Sequence, residues 1–425
     1  MDIKGYKSAP SAGRTGAPGN FRLPRGGKDI IPCHCLFSFM VKVLHTSDWH
    51  LGARLYERPR LDEAEFFLKW LRDFIREEEV NVLLVAGDVY DSSLPPGEAV
   101  GLYYNFLSEL FRENGERVRR GEFKVVIIGG NHDSPLRLEG PGEFLRLGGV
   151  EVFGRWGEGL TPPGPVRIRV GGERVSIHPF PYIAPHEALG KAPRWNEEER
   201  EEYAKVLSEA MERSVEEGED VRICLSHLWV EGLQGGGSER SLEVGGLGQL
   251  PLSALPPCDY FALGHIHSFR KVSDNVFYSG TPYPLSFGEV REKREIVLWS
   301  SEEGVSVKEV PQLKRLLRVE GTAEEVLERC WFEDLCGATV EVVVHLNETQ
   351  PGLNEKIRRT YRERGADVLA VIPHFERRVR QREIRPTLLK PGEVFERCWK
   401  ETTGKKKVPE EVKTLFLKLL REVGG

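Results

Sequence analysis

The sequence predicts an α/β protein of more than one domain, and three observations carry that expectation. From Met40 onward, short apolar runs alternate with amphipathic helical segments, the pattern of a largely parallel, buried sheet covered by helices. The chain has 425 residues, and at ~100–200 residues per domain it has room for two or three, each with its own core. After Pro311 the pattern restarts as a shorter strand, helix, strand, helix, strand series, a compact α/β unit.

Taken in order, residues 1–29 are rich in Gly, Pro, Ser, Lys and Arg without apolar periodicity, so a disordered N-terminal extension over 1–39 is expected. "VKVL" then opens the ordered fold. "LDEAEFFLKWLRDFIREEE" repeats Phe67, Trp70, Leu71, Phe74 and Ile75 at helical spacing, and "VNVLLVAGD", "GEAVGLYYNFLSELFRE" and "FKVVIIGGNHD" continue the alternation. A charged helix at about 196–217 leads to "VRICLSH", and "CDYFALGHIH" follows a Gly-rich connection. "NVFYSGTPYPLSFGE" and "REIVLWS" read as antiparallel edges of a second sheet. Beyond the small unit, a basic run at 376–385 precedes two amphipathic helices, the last with Val412, Leu415, Phe416 and Leu419 on one stripe. Such a stripe packs either on its own domain or on a partner.

Composition limits the function classes. The net charge is -6, with 60 Lys+Arg against 66 Asp+Glu, so there is no chain-wide basic footprint and any nucleic-acid contact must be local. Arg54, Arg58 and Arg60 are local candidates for phosphate contacts, or simply a solvated loop. Seven scattered cysteines argue for a reducing compartment rather than a secreted disulfide framework. The "CHC" at 33–35 lacks a second cluster to complete a metal site. No apolar run reaches the ~18 residues of a membrane helix, and a cytoplasmic location is expected.

The chemistry lies at the strand ends. "LHTSDWHLG" sets Asp48 and His50 after the first strand; "LLVAGD" ends at Asp88; "GGNHD" carries Asn131 and His132; "ICLSH" ends at His227; "GHIH" carries His265 and His267. In open α/β sheets the carboxyl ends of strands form one ligand crevice, so these segments meet at one rim. Gly87, Gly129, Gly130 and Gly264 stand beside them, where the backbone must turn and let an ion or phosphate approach. Carboxylate, amide and imidazole without thiolate suit manganese, iron or zinc. Seven ligands are too many for one tetrahedral ion and suit two, ~3.5–4 Å apart, which clamp the attacking and leaving oxygens of a phosphate ester. His132, next to a ligand, is then the candidate general acid or a phosphate hydrogen-bond donor.

The ordered set, together with "VAGDVYDSSLPP", "SERSLEVGGLG" and "SGTPYPLSFGE", resembles the calcineurin-like metallophosphoesterase superfamily and, within it, the double-strand-break repair nucleases of the SbcD type. The resemblance runs from about Val41 to the C-terminus and is strongest up to Glu289. It implies a sandwich of two mainly mixed β-sheets flanked by helices at 40–310, a small α/β capping domain at 311–378, and a linker with C-terminal amphipathic helices at 379–425. It implies that Asp48, His50, Asp88 and His267 hold one divalent ion and Asp88, Asn131, His227 and His265 the other, manganese foremost. His132 would protonate the leaving 3′ oxygen of a DNA phosphodiester. The Asp91 carboxylate would orient His132, unless Asp91 is a helix cap or turn residue. The implied partners are DNA, an SbcC-type coiled-coil ATPase, and a second copy of the chain within a heterotetramer. Exonuclease and endonuclease activities are implied, with a metallophosphatase or phosphodiesterase on a non-DNA substrate, or a non-catalytic scaffold, as the competing readings. Because that family begins close to the D-x-H strand, Met40 is the expected natural start.

Overall fold

The computed structural model describes residues 40–191, 196–215, 218–230, 249–332, 334–375, 391–403 and 407–423. The expected N-terminal extension, the "CHC" cluster, the Gly-rich connection at 231–248 and the basic run lie outside the described residues.

The chain begins with β1 (Lys42–Thr46), α1 (Leu61–Glu77), β2 (Val82–Ala86), α2 (Gly97–Arg119), β3 (Lys124–Ile128) and β4 (Val150–Phe153). Next come β5 (Val166–Val170), β6 (Glu173–Phe180), α3 (Glu197–Ser214), β7 (Val221–His227), β8 (Tyr260–Gly264), β9 (Arg270–Lys271), β10 (Val276–Tyr278), β11 (Glu295–Ser300) and β12 (Gly304–Glu309). Two six-stranded sheets result, ordered β12-β11-β1-β2-β3-β4 and β9-β10-β8-β7-β6-β5. Each is mixed: β1 to β4 run parallel and β11 antiparallel beside β1, while β6, β7, β8 and β10 run parallel with antiparallel edges at β5 and β9.

The strands alternate between two cores. Leu44, Leu83, Val85 and Ile127 face α1 and α2, where they meet Phe67, Leu71, Tyr103 and Phe106. Val43, Val82, Leu84 and Val126 face the second sheet and meet Ile177, Ile223, Leu225 and Tyr260. Burial on both faces explains why these strands read as continuous apolar runs. On the far side of the second sheet, α3 covers Cys224, Phe261 and Leu263 with Tyr203, Leu207 and Met211. It starts where the Asn196 side chain accepts the Glu199 N–H, an N-cap.

Two expectations about edge strands are corrected. "REIVLWS" joins the first sheet, antiparallel to β1 with Val43 opposite Trp299. Ile296 and Leu298 enter the helix-side core while Val297 and Trp299 enter the inter-sheet core, so this strand is apolar on both faces and takes an interior position. β10 pairs parallel to β8 and antiparallel only to the two-residue β9.

The small unit consists of β13 (Arg315–Thr322), α4 (Ala323–Phe332), β14 (Ala338–Leu346), α5 (Leu353–Glu363) and β15 (Asp367–Phe375), a three-stranded all-parallel sheet. Val319, Val326, Val342, Val344, Ile357 and Tyr361 make its own core. It rests on the two-sheet body through a second apolar cluster in which Leu55 and Phe287 meet Leu316, with Leu369 against them. Tyr56 hydrogen-bonds to Glu341, Arg58 pairs with Asp367, and Lys314 pairs with Asp62. Finally, α6 (Pro391–Thr403) and α7 (Glu410–Val423) are joined by Phe395 stacked on Phe416, centroids 4.1 Å apart. Leu415 remains 56% exposed. No helix among the described residues is long and apolar enough to cross a membrane.

A polar link ties the two sheets across the apolar layer. His45 on β1 is fully buried, with Nδ1 2.8 Å from the Tyr260 hydroxyl and Nε2 3.1 Å from the Leu263 carbonyl. The carbonyl can only accept, so Nε2 donates and Nδ1 accepts from Tyr260, the neutral ring. Burial pushes His45 down to about 3 against the raising effect of the Leu263 bond. The unfolded chain therefore takes up a proton below about 6.5 that the fold refuses, and stability present above that pH is lost as pH falls toward 3, at up to ~1.4 kcal/mol per unit. We expect denaturant midpoints of His45→Gln to fall less steeply between pH 6 and 4 than those of wild type. Equal slopes would refute this role.

Candidate metal centre

The strand ends of the first sheet and those of the second meet at one rim. Asp48 and His50 follow β1, Asp88 follows β2, Asn131 and His132 follow β3, His227 closes β7, and His265 and His267 follow β8. Asp48, His50, Asp88, His227, His265 and His267 are all at most 3% exposed. The structure brings all seven expected ligands and His132 together. Asp48, His50 and His267 present ligand atoms within 4.8 Å of one another, as do Asp48, Asp88 and His227, and also His50, Asp91 and His132.

Asp88 is the centre of the cluster. Its Oδ2 lies 3.7 Å from His50 Nε2, 3.5 Å from His227 Nε2 and 4.0 Å from His132 Nε2, while its Oδ1 accepts the His132 N–H at 2.8 Å. Asn131 Oδ1 is 2.9 Å from His227 Nε2 and 3.2 Å from His265 Nδ1. The Asp48 carboxylate accepts the His265 N–H and the Ser47 hydroxyl. Burial raises the Asp88 carboxyl, but the charge and hydrogen bond of His227, with His50 and His132, outweigh it and hold Asp88 well below the usual range. Burial lowers His227, and Asp88 reverses this, carrying it up to about 9. Burial, with His227 nearby, pushes His265 well below its ordinary value.

The backbone is bent to make this rim. Among the described residues seven non-glycine residues have positive φ, and four of them are Asp48, His50, Asp88 and His265. Left-handed backbone costs ~1–2 kcal/mol per non-glycine residue and clusters at functional sites. Gly87 makes the expected turn, Gly130 leaves room for the Asp88 carboxylate, and Gly87 and Gly264 have a further role. A Cβ at Gly87 (φ +84) would lie 2.3 Å from His227 Nδ1, and one at Gly264 1.8 Å from the Ala86 carbonyl. They let strand ends of the two sheets come within contact of each other.

The residues fit metal ions. Nδ1 and Nε2 of His50 and Nε2 of His265 are buried without a hydrogen bond among the described residues. Such a group costs ~1–3 kcal/mol if left unsatisfied, and a cation would satisfy Nε2 of His265 and one nitrogen of His50, a neutral imidazole having one lone pair. Imidazole, carboxylate and amide donors without thiolate are those of a dinuclear hydrolytic site.

Three further residues differ from their expected surroundings or were not expected. The Asp91 carbonyl lies 2.7 Å from His132 Nδ1, while its carboxylate stands 3.4 Å from His50 Nδ1. Asp133 accepts the N–H groups of Val89, Tyr90 and Gly130 and so ties the G-N-H-D turn to the Asp88 loop; burial and Asp88 push its carboxyl up to about 7. Its place beside Asn131 and His132 in that motif was the available signal. Arg60 is not a phosphate-contacting side chain: it is buried, bonded through two nitrogens to Glu63 and to the Pro284 carbonyl, with its guanidinium 5.1 Å from the Tyr283 ring. Arg60 stands at the start of α1, held by Glu63 of the first turn and by the Pro284 carbonyl.

The sequence profile of the calcineurin-like phosphoesterases matches residues 41–269, and the chain belongs to this family of metal-dependent phosphoesterases. It is 33% identical over 289 residues to the SbcD subunit of the SbcCD nuclease of Rhodobacter capsulatus, spanning 64% of this chain and 69% of that one. It is 27% identical over 397 residues to the SbcD subunit of the Bacillus subtilis nuclease, spanning 89% and 97%. The SbcD subunit of Escherichia coli K12 is 29% identical over 268 residues, 61% of this chain and 64% of that one. Within the family, the chain is an SbcD-type nuclease with a dimetal site of buried His and Asp residues.

Proposed function

We propose that the chain hydrolyses phosphodiester bonds of DNA, as exonuclease on double-stranded ends and as endonuclease, in an SbcCD-type repair complex. The observation that carries this reading is Asp88, whose carboxylate lies between His50 and His227 at 3.7 and 3.5 Å, as a ligand common to two ions should. Asp48, His50, Asp88 and His267 would hold one ion and Asp88, Asn131, His227 and His265 the other; the oxygen and imidazole donors suit manganese, iron or zinc, of which manganese is the ion proposed. When bound, two dications supply positive charge to the phosphate oxygens and lower the pKa of the attacking water.

The chain's own residues orient and move the proton. The Asp91 carbonyl accepts from His132 Nδ1, which leaves Nε2, on the Asp88 side of the ring, to protonate the leaving oxygen. Asp133 fixes the loop that carries His132. Residues 40–310 would form the nuclease domain and 311–378 a DNA-capping domain, a division supported by the separate core of the small unit. The helices within 379–425 would dock an SbcC-type ATPase through the exposed Leu415 beside the Phe395 and Phe416 pair. A cytoplasmic location accords with the free cysteines Cys224, Cys258, Cys330, Cys336 and Cys398.

A second copy is the proposed occupant of the apolar face of the helix Gly142–Leu147, whose Phe144 and Leu147 are one turn apart and 76% and 74% exposed. Phe111 on α2 borders it beside Gly148. Apolar side chains grouped in this way on a surface mark an interface.

Two experiments test these readings. With manganese and linear double-stranded DNA, we expect His132→Ala to cut ~10²–10⁴-fold more slowly than wild type while still binding two ions; wild-type rates in the variant would remove the acid role. In sedimentation, the wild type should dimerise and Phe144→Glu should be monomeric. A monomeric wild type, or a variant that still dimerises, would rule out this patch as the dimer face.

A further inference from the structure

Behind His267 lies a buried charge that the proposed reaction does not use. Glu289 is fully buried, and its Oε1 is 3.1 Å from His267 Nδ1. Its Oε2 accepts the Leu285 N–H at 3.0 Å and lies 3.3 Å from Arg294 Nη1. Arg294, 3% exposed, donates Nη1 to the His267 carbonyl at 2.9 Å and Nη2 to the Glu289 carbonyl at 2.7 Å. The Thr281 N–H donates to the same His267 carbonyl at 3.1 Å. The backbone of His267 is therefore held by two donors, and its ring separately by a carboxylate.

A buried ion pair is a poor way to gain stability, because desolvating both charges offsets most of their attraction and an apolar pair of the same volume does as well. The carboxylate faces a ring that joins Asp48 and His50 in one ligand cluster. An imidazole that donates Nδ1–H to a carboxylate keeps the lone pair on Nε2 and becomes a stronger donor to a cation. Glu289 also lies between Phe287 and Val290, which pack against Leu316 and Leu369 of the small unit. The segment that holds the ring is thus the one on which that unit rests.

We propose that Glu289 is a positioning residue for metal binding: it fixes His267 as the Nδ1–H tautomer and directs Nε2 to the ion shared with Asp48 and His50. Arg294 holds the Glu289 carboxylate in place. The inference rests on the reading of His267 as a metal ligand, and the test separates the two.

The experiment is manganese titration of the full chain by calorimetry, with thermal melts of the metal-free protein alongside. The variants are Glu289→Gln, the double variant Glu289→Gln with Arg294→Met, which leaves no unpaired buried guanidinium, and His267→Ala as reference. Both Glu289 variants should lose ~10–100-fold in affinity at one manganese site and stay within about threefold of wild type at the other. The weakened site should be the one that His267→Ala loses. A lowered melting temperature with both manganese affinities unchanged would overturn the proposal and leave Glu289 a structural residue. No loss in His267→Ala would overturn the ligand assignment and the proposal with it, whereas loss there but not in the Glu289 variants would overturn the proposal alone. Should neither Glu289 variant fold, the zinc-loaded wild type labelled with ¹⁵N-histidine decides. A proton on His267 Nδ1 is expected, and its absence would overturn the proposal.

Discussion

The metal centre depends on one hydrogen bond across the sandwich, between His227 Nδ1 at the end of β7 and the Ala86 carbonyl at the end of β2, 2.8 Å apart. A carbonyl can only accept, so His227 donates from Nδ1 and turns Nε2 toward Asp88 and Asn131. The bond works only if the two sheets come this close, and they do because Gly264 puts no side chain against the same carbonyl. Asp48, His50, Asp88 and Asn131 belong to one sheet, and His227, His265 and His267 to the other. Anything that shifts the sheets relative to each other therefore separates the two halves of the site.

The apolar layer and its polar links set that spacing. Val43, Val82 and Leu84 pack on Ile177, Ile223 and Tyr260, and His45 bonds to the β8 strand from within the layer. The loops above it carry left-handed backbone at four candidate ligands. That strain persists because each loop is bonded to its neighbour: Asp48 N–H to the Gly87 carbonyl, His50 N–H to the Asp88 carbonyl, and Asp133 to three amides. Buried imidazole nitrogens that make no hydrogen bond among the described residues are then the places where cations fit.

Much of this was legible in the sequence because the chemistry-bearing residues sit in short motifs directly after apolar strands. A strand end has few options, so Asp48, Asp88, Asn131, His227 and His265 could be assigned to one rim without knowing the strand order. Strand order itself was not legible. "REIVLWS" is apolar on both faces and suits an interior place in either sheet, and only packing decides between them. The β5 and β6 hairpin, "VRIRV" and "ERVSIHPF" about Gly171 and Gly172, carried a signal in the alternation of "VRIRV" and in the Gly-Gly pair, whose φ is positive at both residues. Arg60 misled because nearness in sequence to the first motif says nothing of a chain that buries the guanidinium against Glu63. Glu289 lies 22 residues from His267, and no spacing rule links a ligand to the carboxylate behind it.

The central claim is Asp88 as a ligand common to two ions, and manganese binding to wild type and Asp88→Asn, measured by calorimetry on the whole chain, tests it most directly. Two ions per chain in the wild type, with both affinities reduced at least ~10-fold in the variant, is the predicted result. A single ion in the wild type, or a variant that loses affinity at one site and keeps the other, would contradict the shared carboxylate.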